Sequence, residues 1–131
     1  MVVVITFGTF DLLHIGHINM LKKCKKYGDK LIVGVSSDNL NYNKKNRYPI
    51  FSEKDRVEII KNIKGVDEVF LEESLEKKEE YIRNYKADIF IIGDDWRGKF
   101  DNINSVCKVI YLNRTENIST TDIISDIRSY L

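Results

Sequence analysis

The chain holds two histidines, His14 and His17, and both fall in one segment, Gly8-Thr9-Phe10-Asp11-Leu12-Leu13-His14-Ile15-Gly16-His17. A spacing of three puts two side chains near one face of a helix that starts at about His14. A helix start offers unpaired N–H groups and a partial positive charge, which suits a phosphate. Gly8 and Gly16 would let that phosphate approach the backbone closely. Two imidazoles at this point could donate hydrogen bonds to an anion. Taken alone, such a pair is more often an ordinary polar surface feature than a site. A zinc site would need four good ligands; four are not in view, and Cys24 lies two helical turns on. No Gly-Lys-Ser/Thr follows, so the segment is not a P-loop, and it lacks the Gly-x-Gly-x-x-Gly fingerprint of dinucleotide binders.

Two further segments carry polar groups at the end of an apolar run. Gly93-Asp94-Asp95-Trp96-Arg97-Gly98-Lys99-Phe100-Asp101 opens on adjacent aspartates. These could cap a turn, hold a divalent metal on a nucleotide's phosphates or hydrogen-bond a ribose. Trp96 is the only tryptophan, and packing is its default role. Asn113-Arg114-Thr115-Glu116-Asn117-Ile118-Ser119-Thr120-Thr121 crowds three hydroxyls onto one helix start after an arginine. One hydroxyl suffices as an N-cap; three resemble an anion cradle. A basic stretch supplies Lys44, Lys45 and Arg47, with Arg56 on the helix that follows. It reads as a solvated patch unless it folds over the same site, where it would neutralise phosphate charge.

These segments need a scaffold, and the hydropathy pattern supplies one. Strands are expected at Val2–Phe7, Leu31–Val35, Val66–Leu71, Asp88–Ile92 and Val106–Leu112. Helices are expected from about Gly16 to Tyr27 with Gly28 as C-cap, from Ser52 to Gly65 with Val57 and Ile60 inward, from Leu75 to Tyr85, and from Ser119 or Thr120 through Ile123, Ile124 and Ile127. The polar stretch from Asn39 to Tyr48, just before the single proline, Pro49, reads as a mobile loop. Strands alternating with helices give right-handed βαβ units. The expected fold is therefore α/β, three-layered, with a five-stranded parallel sheet in the order 3-2-1-4-5. Ligands bind such sheets beyond the carboxyl ends of the strands, where the winding reverses. That point lies between strands 1 and 4, next to all three polar segments.

Composition bounds the rest. A length of 131 residues with 43% hydrophobic and 31% charged residues fits a single globular domain, residues 1–131. A net charge of +1 from 21 basic and 20 acidic residues argues against nucleic acid as the partner. Cys24 and Cys107 cannot build a disulfide framework and read as buried thiols. No apolar run approaches a membrane span, and the N-terminal run is too short for a signal-peptide core, so a cytoplasmic protein is expected.

The three segments together resemble the cytidylyltransferase branch of the nucleotidyltransferase superfamily. Gly8-Thr9-Phe10-Asp11 with His14-Ile15-Gly16-His17 resembles its first signature, and Arg114 to Thr121 its second. Gly93-Asp94-Asp95-Trp96 with Gly98-Lys99-Phe100-Asp101 is similar to the small bacterial glycerol-3-phosphate cytidylyltransferases. The resemblance implies a Rossmann-like nucleotidyltransferase fold. It also implies a reaction in which CTP and a phosphate monoester, glycerol 3-phosphate first, give a CDP-linked product and pyrophosphate. It implies catalytic roles for His14, His17, Lys44 and Arg114, and nucleotide contacts from Thr9, Phe10, Asp11, Gly16, Asp95, Arg114, Thr115, Ser119, Thr120 and Thr121, with Asp11 supporting the histidine loop. It implies acceptor contacts from Lys44, Arg56 and Lys64, with Mg²⁺ entering on CTP and no protein metal ligand assigned. The family is usually homodimeric. Three features depart from its pattern: a basic loop one residue longer, Lys64 in place of an arginine, and Asn117 where glycine is common. Other acceptors (ethanolamine phosphate, choline phosphate, a sugar-derived phosphate) and an ATP-using FAD synthetase-like activity are the alternatives.

Overall fold

The computed structural model describes residues 1–131. Strands β1 (Val3–Gly8), β2 (Lys30–Ser36), β3 (Glu68–Glu72), β4 (Ile89–Gly93) and β5 (Lys108–Leu112) form one sheet in the order β3-β2-β1-β4-β5. All four pairings are parallel, as the alternation of strands and helices predicts. Side chains alternate across the sheet with period two. Val4, Leu31, Val33, Val35 and Ile91 face one side, where Leu21 and Cys24 of α1 (Ile15–Lys25) and Ile60 of α3 (Glu53–Lys61) cover them. Ile5, Phe7, Ile32, Phe90 and Ile92 face the other, under Ile82 of α4 (Lys78–Asn84) and Ile103. Each such aliphatic or aromatic side chain, fully buried, contributes roughly 1.5–3 kcal/mol before conformational entropy is subtracted.

Gly34 sits at the middle of β2 for a packing reason. A Cβ there would stand 2.6 Å from Phe7 Cδ1 and 2.8 Å from Phe70 Cζ. Its absence admits the edge-on pair Phe7–Phe70, with centroids 5.8 Å apart. Both cysteines are buried and free, and no helix is long and apolar enough to cross a membrane.

Four expectations need correction. The stretch expected as a loop contains a helix, α2 (Asp38–Lys45), capped by Ser37 Oγ accepting from Leu40 N–H and ended by Asn46 at φ 57°. Its only buried residues are Leu40 and Asn41, so no apolar stripe advertised it. Helix α1 ends at Lys25 with Lys26 as C-cap, short of Gly28. The expected third helix splits into a 3-10 turn, Leu75–Lys77, and α4. Helix α5 (Thr120–Tyr130) forms as expected but buries no residue fully, and Ile127 is 52% exposed rather than inward.

Candidate active site

The carboxyl ends of the strands open into a cavity of about 440 Å³. Its walls come from the loops after β1, β4 and β5, from α2 and from the end of β3. This is the predicted point of reversal between β1 and β4.

His14 is the N-cap of α1, in extended backbone. Its Nδ1 accepts from Gly16 N–H at 3.0 Å. His17 Nδ1 in turn accepts from His14 N–H at 3.2 Å. The two histidines thus make a capping box between them, a job usually done by a hydroxyl and a carboxylate. A ring nitrogen that accepts a hydrogen bond carries no proton, so the proton of each neutral ring is assigned to Nε2. The rings stack at 3.7 Å between centroids, and Phe10 supports His17 edge-on at 5.4 Å. Burial lowers the pKa of His14, with the Arg114 charge adding to it. Burial pushes His17 down to about 4, and His14 adds to that shift. Two neutral rings, each with an Nε2–H to donate, therefore line the cavity at neutral pH. Neither has a free nitrogen with which to take up a proton as a base.

The loop that carries them is strained and tied down. Phe10 and Leu12 both lie in the left-handed region, at φ 54° and 50°, which non-glycine residues hold only under constraint. Asp11, between them, supplies the constraint. Its carboxylate accepts from Ile50 N–H at 2.7 Å, Phe51 N–H at 2.9 Å and Leu12 N–H at 3.1 Å. Its carbonyl accepts from Thr120 Oγ1 at 2.8 Å. The family resemblance counts Asp11 with the nucleotide residues and has it support this loop. It lines the cavity, but its carboxylate is fully engaged with backbone and positions the loop.

Arg56 also moves from the acceptor contacts to the scaffold. Its side chain is 0% exposed. It donates to the carbonyls of Phe51, Thr9 and Ser36 and to Asp38 Oδ1, all within 3.0 Å. Four of its five N–H groups are used and the side chain is fully buried, so none is presented to a substrate. Lys64 is exposed, lies beyond the far end of α3 and is not among the cavity residues. The reason is topological: α3 runs antiparallel to the strands, so its last residues reach their amino-terminal edge.

The remaining expected residues converge. Thr9, Gly16, Lys44, Asp95, Arg114, Thr115 and Ser119 to Thr121 all line the cavity. Thr9 Oγ1 donates to Asn41 Oδ1 at 2.8 Å, and Asn41 Nδ2 donates to the Arg47 carbonyl at 3.2 Å. This joins the histidine loop to the basic segment. Lys44 Nζ donates to Ser36 Oγ at 3.1 Å, and burial lowers its pKa to about 8. Lys45, lowered by burial, and Arg47 complete a basic wall. Arg114 lies 3.7 Å from Asp95. Of the three hydroxyls at the start of α5, Ser119 is the N-cap and accepts from Asp122 N–H, while Thr120 holds the Asp11 carbonyl. Only the Thr121 hydroxyl stands free of the scaffold, with a long contact to Arg47. The Ser119 and Thr120 side chains therefore position the helix start, which offers its backbone N–H groups instead. Asn117 at φ 62° explains the missing glycine, since asparagine tolerates the left-handed region.

Lining residues that escape the sequence reading include Ser36, Asn41, Glu72 and Lys78. Ser36 and Glu72 end β2 and β3 at the carboxyl edge, and a charged residue at that position was a usable signal. Lys78 gave none, being one of many charges in its helix.

The start of α5, two neutral imidazole donors and a basic wall facing one cavity make a site suited to phosphates. Residues 5–126 match the cytidylyltransferase-like family. The chain is 47% identical over 124 residues to a glycerol-3-phosphate cytidylyltransferase of Bacillus subtilis, covering 95% of each protein. It is 36% identical to an FAD synthase of Thermococcus sibiricus, covering 95% of this chain and 90% of that protein. Among solved structures, the lipopolysaccharide core biosynthesis protein of Thermoplasma volcanium superposes with a TM-score of 0.77 at 33% identity, covering 88% of this chain and 99% of that one. The chain belongs to the cytidylyltransferase-like family and is a nucleotidyltransferase.

Proposed function

We propose that the protein transfers CMP from CTP to glycerol 3-phosphate, giving CDP-glycerol and pyrophosphate. The observation that carries the mechanism is the histidine capping box, which fixes both rings as Nε2–H donors. A phosphate monoester has its second pKa near ~6 and is largely dianionic at neutral pH. It needs no base to become nucleophilic, and neither histidine offers one. One of its oxygens attacks the α-phosphorus of CTP in line. The bond to that oxygen forms as the α–β bridging bond breaks, and the electron pair leaves with pyrophosphate.

The obstacle is charge, because a dianion approaches an anionic triphosphate. The chain answers with fixed donors: His14 and His17 on the phosphates, the start of α5 beside them, and Lys44, Lys45, Arg47 and Arg114 around the rim. No three metal-binding side chains cluster in the structure. Within the cavity, Asp11 is engaged with backbone and Glu72 with Lys78, which leaves Asp95 as the available carboxylate. A magnesium ion brought in with CTP would find Asp95 as the one side chain placed to help hold it. When bound, the ion supplies charge neutralisation at the leaving pyrophosphate. A homodimer and a cytoplasmic location complete the reading.

Pyrophosphate release from CTP and from ATP, each with glycerol 3-phosphate, other phosphate monoesters and FMN, tests the proposal, with the adduct identified by mass. CDP-glycerol is the expected product. Turnover confined to ATP and FMN would replace this reading with an FAD synthase activity, the reaction named for the Thermococcus relative.

A further inference from the structure

Residues 47–51 lead from α2 to α3 without a backbone–backbone hydrogen bond of their own. Side chains hold them instead. At the far end, Asp11 accepts from Ile50 and Phe51 N–H, and Arg56 donates to the Phe51 carbonyl. At the near end, Asn41 Nδ2 donates to the Arg47 carbonyl at 3.2 Å. Asn41 is 2% exposed, and its Oδ1 accepts from Thr9 Oγ1 at 2.8 Å. Thr9 and Asp11 both belong to the loop that carries His14 and His17. The segment is therefore fastened to the histidine loop at each end.

The bonds of Asn41 have a fixed sense. A carbonyl can only accept, so the amide nitrogen must face Arg47 and the amide oxygen must face Thr9. The Thr9 hydroxyl, able to act either way, must then donate. Burying an amide costs free energy unless its polar atoms are paired, and an apolar side chain of similar volume would avoid that cost. A polar residue at this point of α2 thus serves as a connection between two segments rather than as packing. What it connects is chemically distinct. On one side stand the two imidazole donors. On the other stands Arg47, an exposed residue whose side chain lines the cavity and reaches toward Thr121 at the start of α5. A long exposed side chain has many rotamers, so the place of its head depends on where its backbone is held.

We propose that Asn41 is a positioning residue for the transfer: it sets the Arg47 guanidinium at a fixed offset from the two histidine donors. This assignment rests on the CMP-transfer reading above, in which Arg47 faces phosphate. Asn41 acts through Arg47. A misplacement of about 1 Å at a group that orients the reactants can cost about 10² in rate, so a brace between donors on separate segments has a direct kinetic consequence.

The test is a double-mutant cycle on the whole chain, Asn41→Ala with Arg47→Gln. It is read as kcat/KM for CTP with saturating glycerol 3-phosphate and as CTP affinity by calorimetry, both well below the melting temperatures. Asn41→Leu, closer in volume, takes the place of Asn41→Ala if that variant does not fold. Arg47→Gln alone should cost roughly tenfold to a hundredfold, the usual worth of one charge-assisted contact. The Asn41 variant should cost a similar factor. The double variant should lose little more than either single one, because an arginine already out of place has no contact left to remove. An Asn41 that is only structural would lower the melting temperature, and its factor would multiply with that of Arg47. Multiplied factors, wild-type kcat/KM in a folded Asn41 variant, or wild-type kcat/KM in Arg47→Gln would each overturn the proposal. Wild-type protein that binds CTP but releases no pyrophosphate with glycerol 3-phosphate would instead bring down the acceptor reading, and the cycle read in CTP affinity would still decide the role of Asn41. No binding of CTP would bring down both.

Discussion

Replacing His17 by asparagine separates the two jobs that its ring performs. The Oδ1 of the introduced asparagine falls near the position of Nδ1 and can still accept from the His14 N–H, a bond of 3.2 Å in the structure. The shorter side chain places nothing where Nε2–H stands. The capping half is worth about 1 kcal/mol, by analogy with other N-cap groups. Losing it, as in His17→Ala, should lower the melting temperature by about 3–5 °C for a chain of this length. The donor half is worth more to the reaction. Removing one preorganised donor from a developing oxyanion costs roughly 10²–10³ in kcat, or about 2.7–4 kcal/mol. His17→Asn should therefore melt close to wild type and turn over at least a hundredfold more slowly, while His17→Ala shows both defects. The assay is continuous pyrophosphate release at saturating CTP and glycerol 3-phosphate, beside thermal melting by circular dichroism. Near-wild-type turnover in a folded His17→Asn protein would refute the assignment of Nε2–H to the reacting phosphates.

Other expectations follow from the same geometry. Lys44→Ala should raise KM for the acceptor by roughly tenfold or more, the cost of one charge-assisted hydrogen bond, with a smaller effect on CTP; initial rates across both substrates measure it. Because burial lowers Lys44 to about 8, its positive charge fades as pH rises through that value. KM for glycerol 3-phosphate in the wild type should climb above about pH 8, and the climb should be absent in Lys44→Gln. His17 stays neutral in the fold down to about 4 but takes a proton near its ordinary 6.5 when unfolded. Between those values the unfolded chain binds more protons, so stability should be fullest above pH 6.5 and fall as pH falls toward 4. Part of that fall should vanish in His17→Gln, as read from urea midpoints across the window. Arg56→Ala should lose roughly 1–3 kcal/mol of stability for each buried carbonyl it strands, those of Thr9 and Ser36 first. A stable Arg56→Ala protein with only a raised acceptor KM would restore Arg56 to the acceptor site.

Much of the fold was legible because each strand is a short apolar run and most of the long helices carry an apolar stripe. Those patterns are local, and the sheet order follows once the strands are parallel and their crossovers right-handed. Helix α2 escaped because a helix with two buried residues writes no period. Helix α5 reads as inward from Ile123, Ile124 and Ile127, yet the sequence could not say how much sheet surface remained for it to cover. At the site, the histidines, Lys44, Asp95 and Arg114 were singled out by residue type in segments expected as loops, and the structure brings them to one cavity. The support of the loop by Asp11 and the cap of α5 by Ser119 or Thr120 were expected, but that Arg56 serves the backbone was not, because the same polar groups serve a ligand or a backbone, and only their contacts tell which.

The sequence by itself determined which chemistry is available: two imidazoles beside a helix start, a run of basic residues and hydroxyls, and strands to carry them. Spacing along the chain is enough for that, because βαβ geometry sends every such loop to one edge. Tertiary structure alone decided which groups are free to act. It turned Asp11 and Arg56 inward to hold a strained loop, fixed the proton of each histidine by the backbone bond its other nitrogen accepts, and seated Lys78 against Glu72 from segments that local pattern does not connect. Hydrogen-bond capacity is finite, and its allocation depends on neighbours distant in sequence.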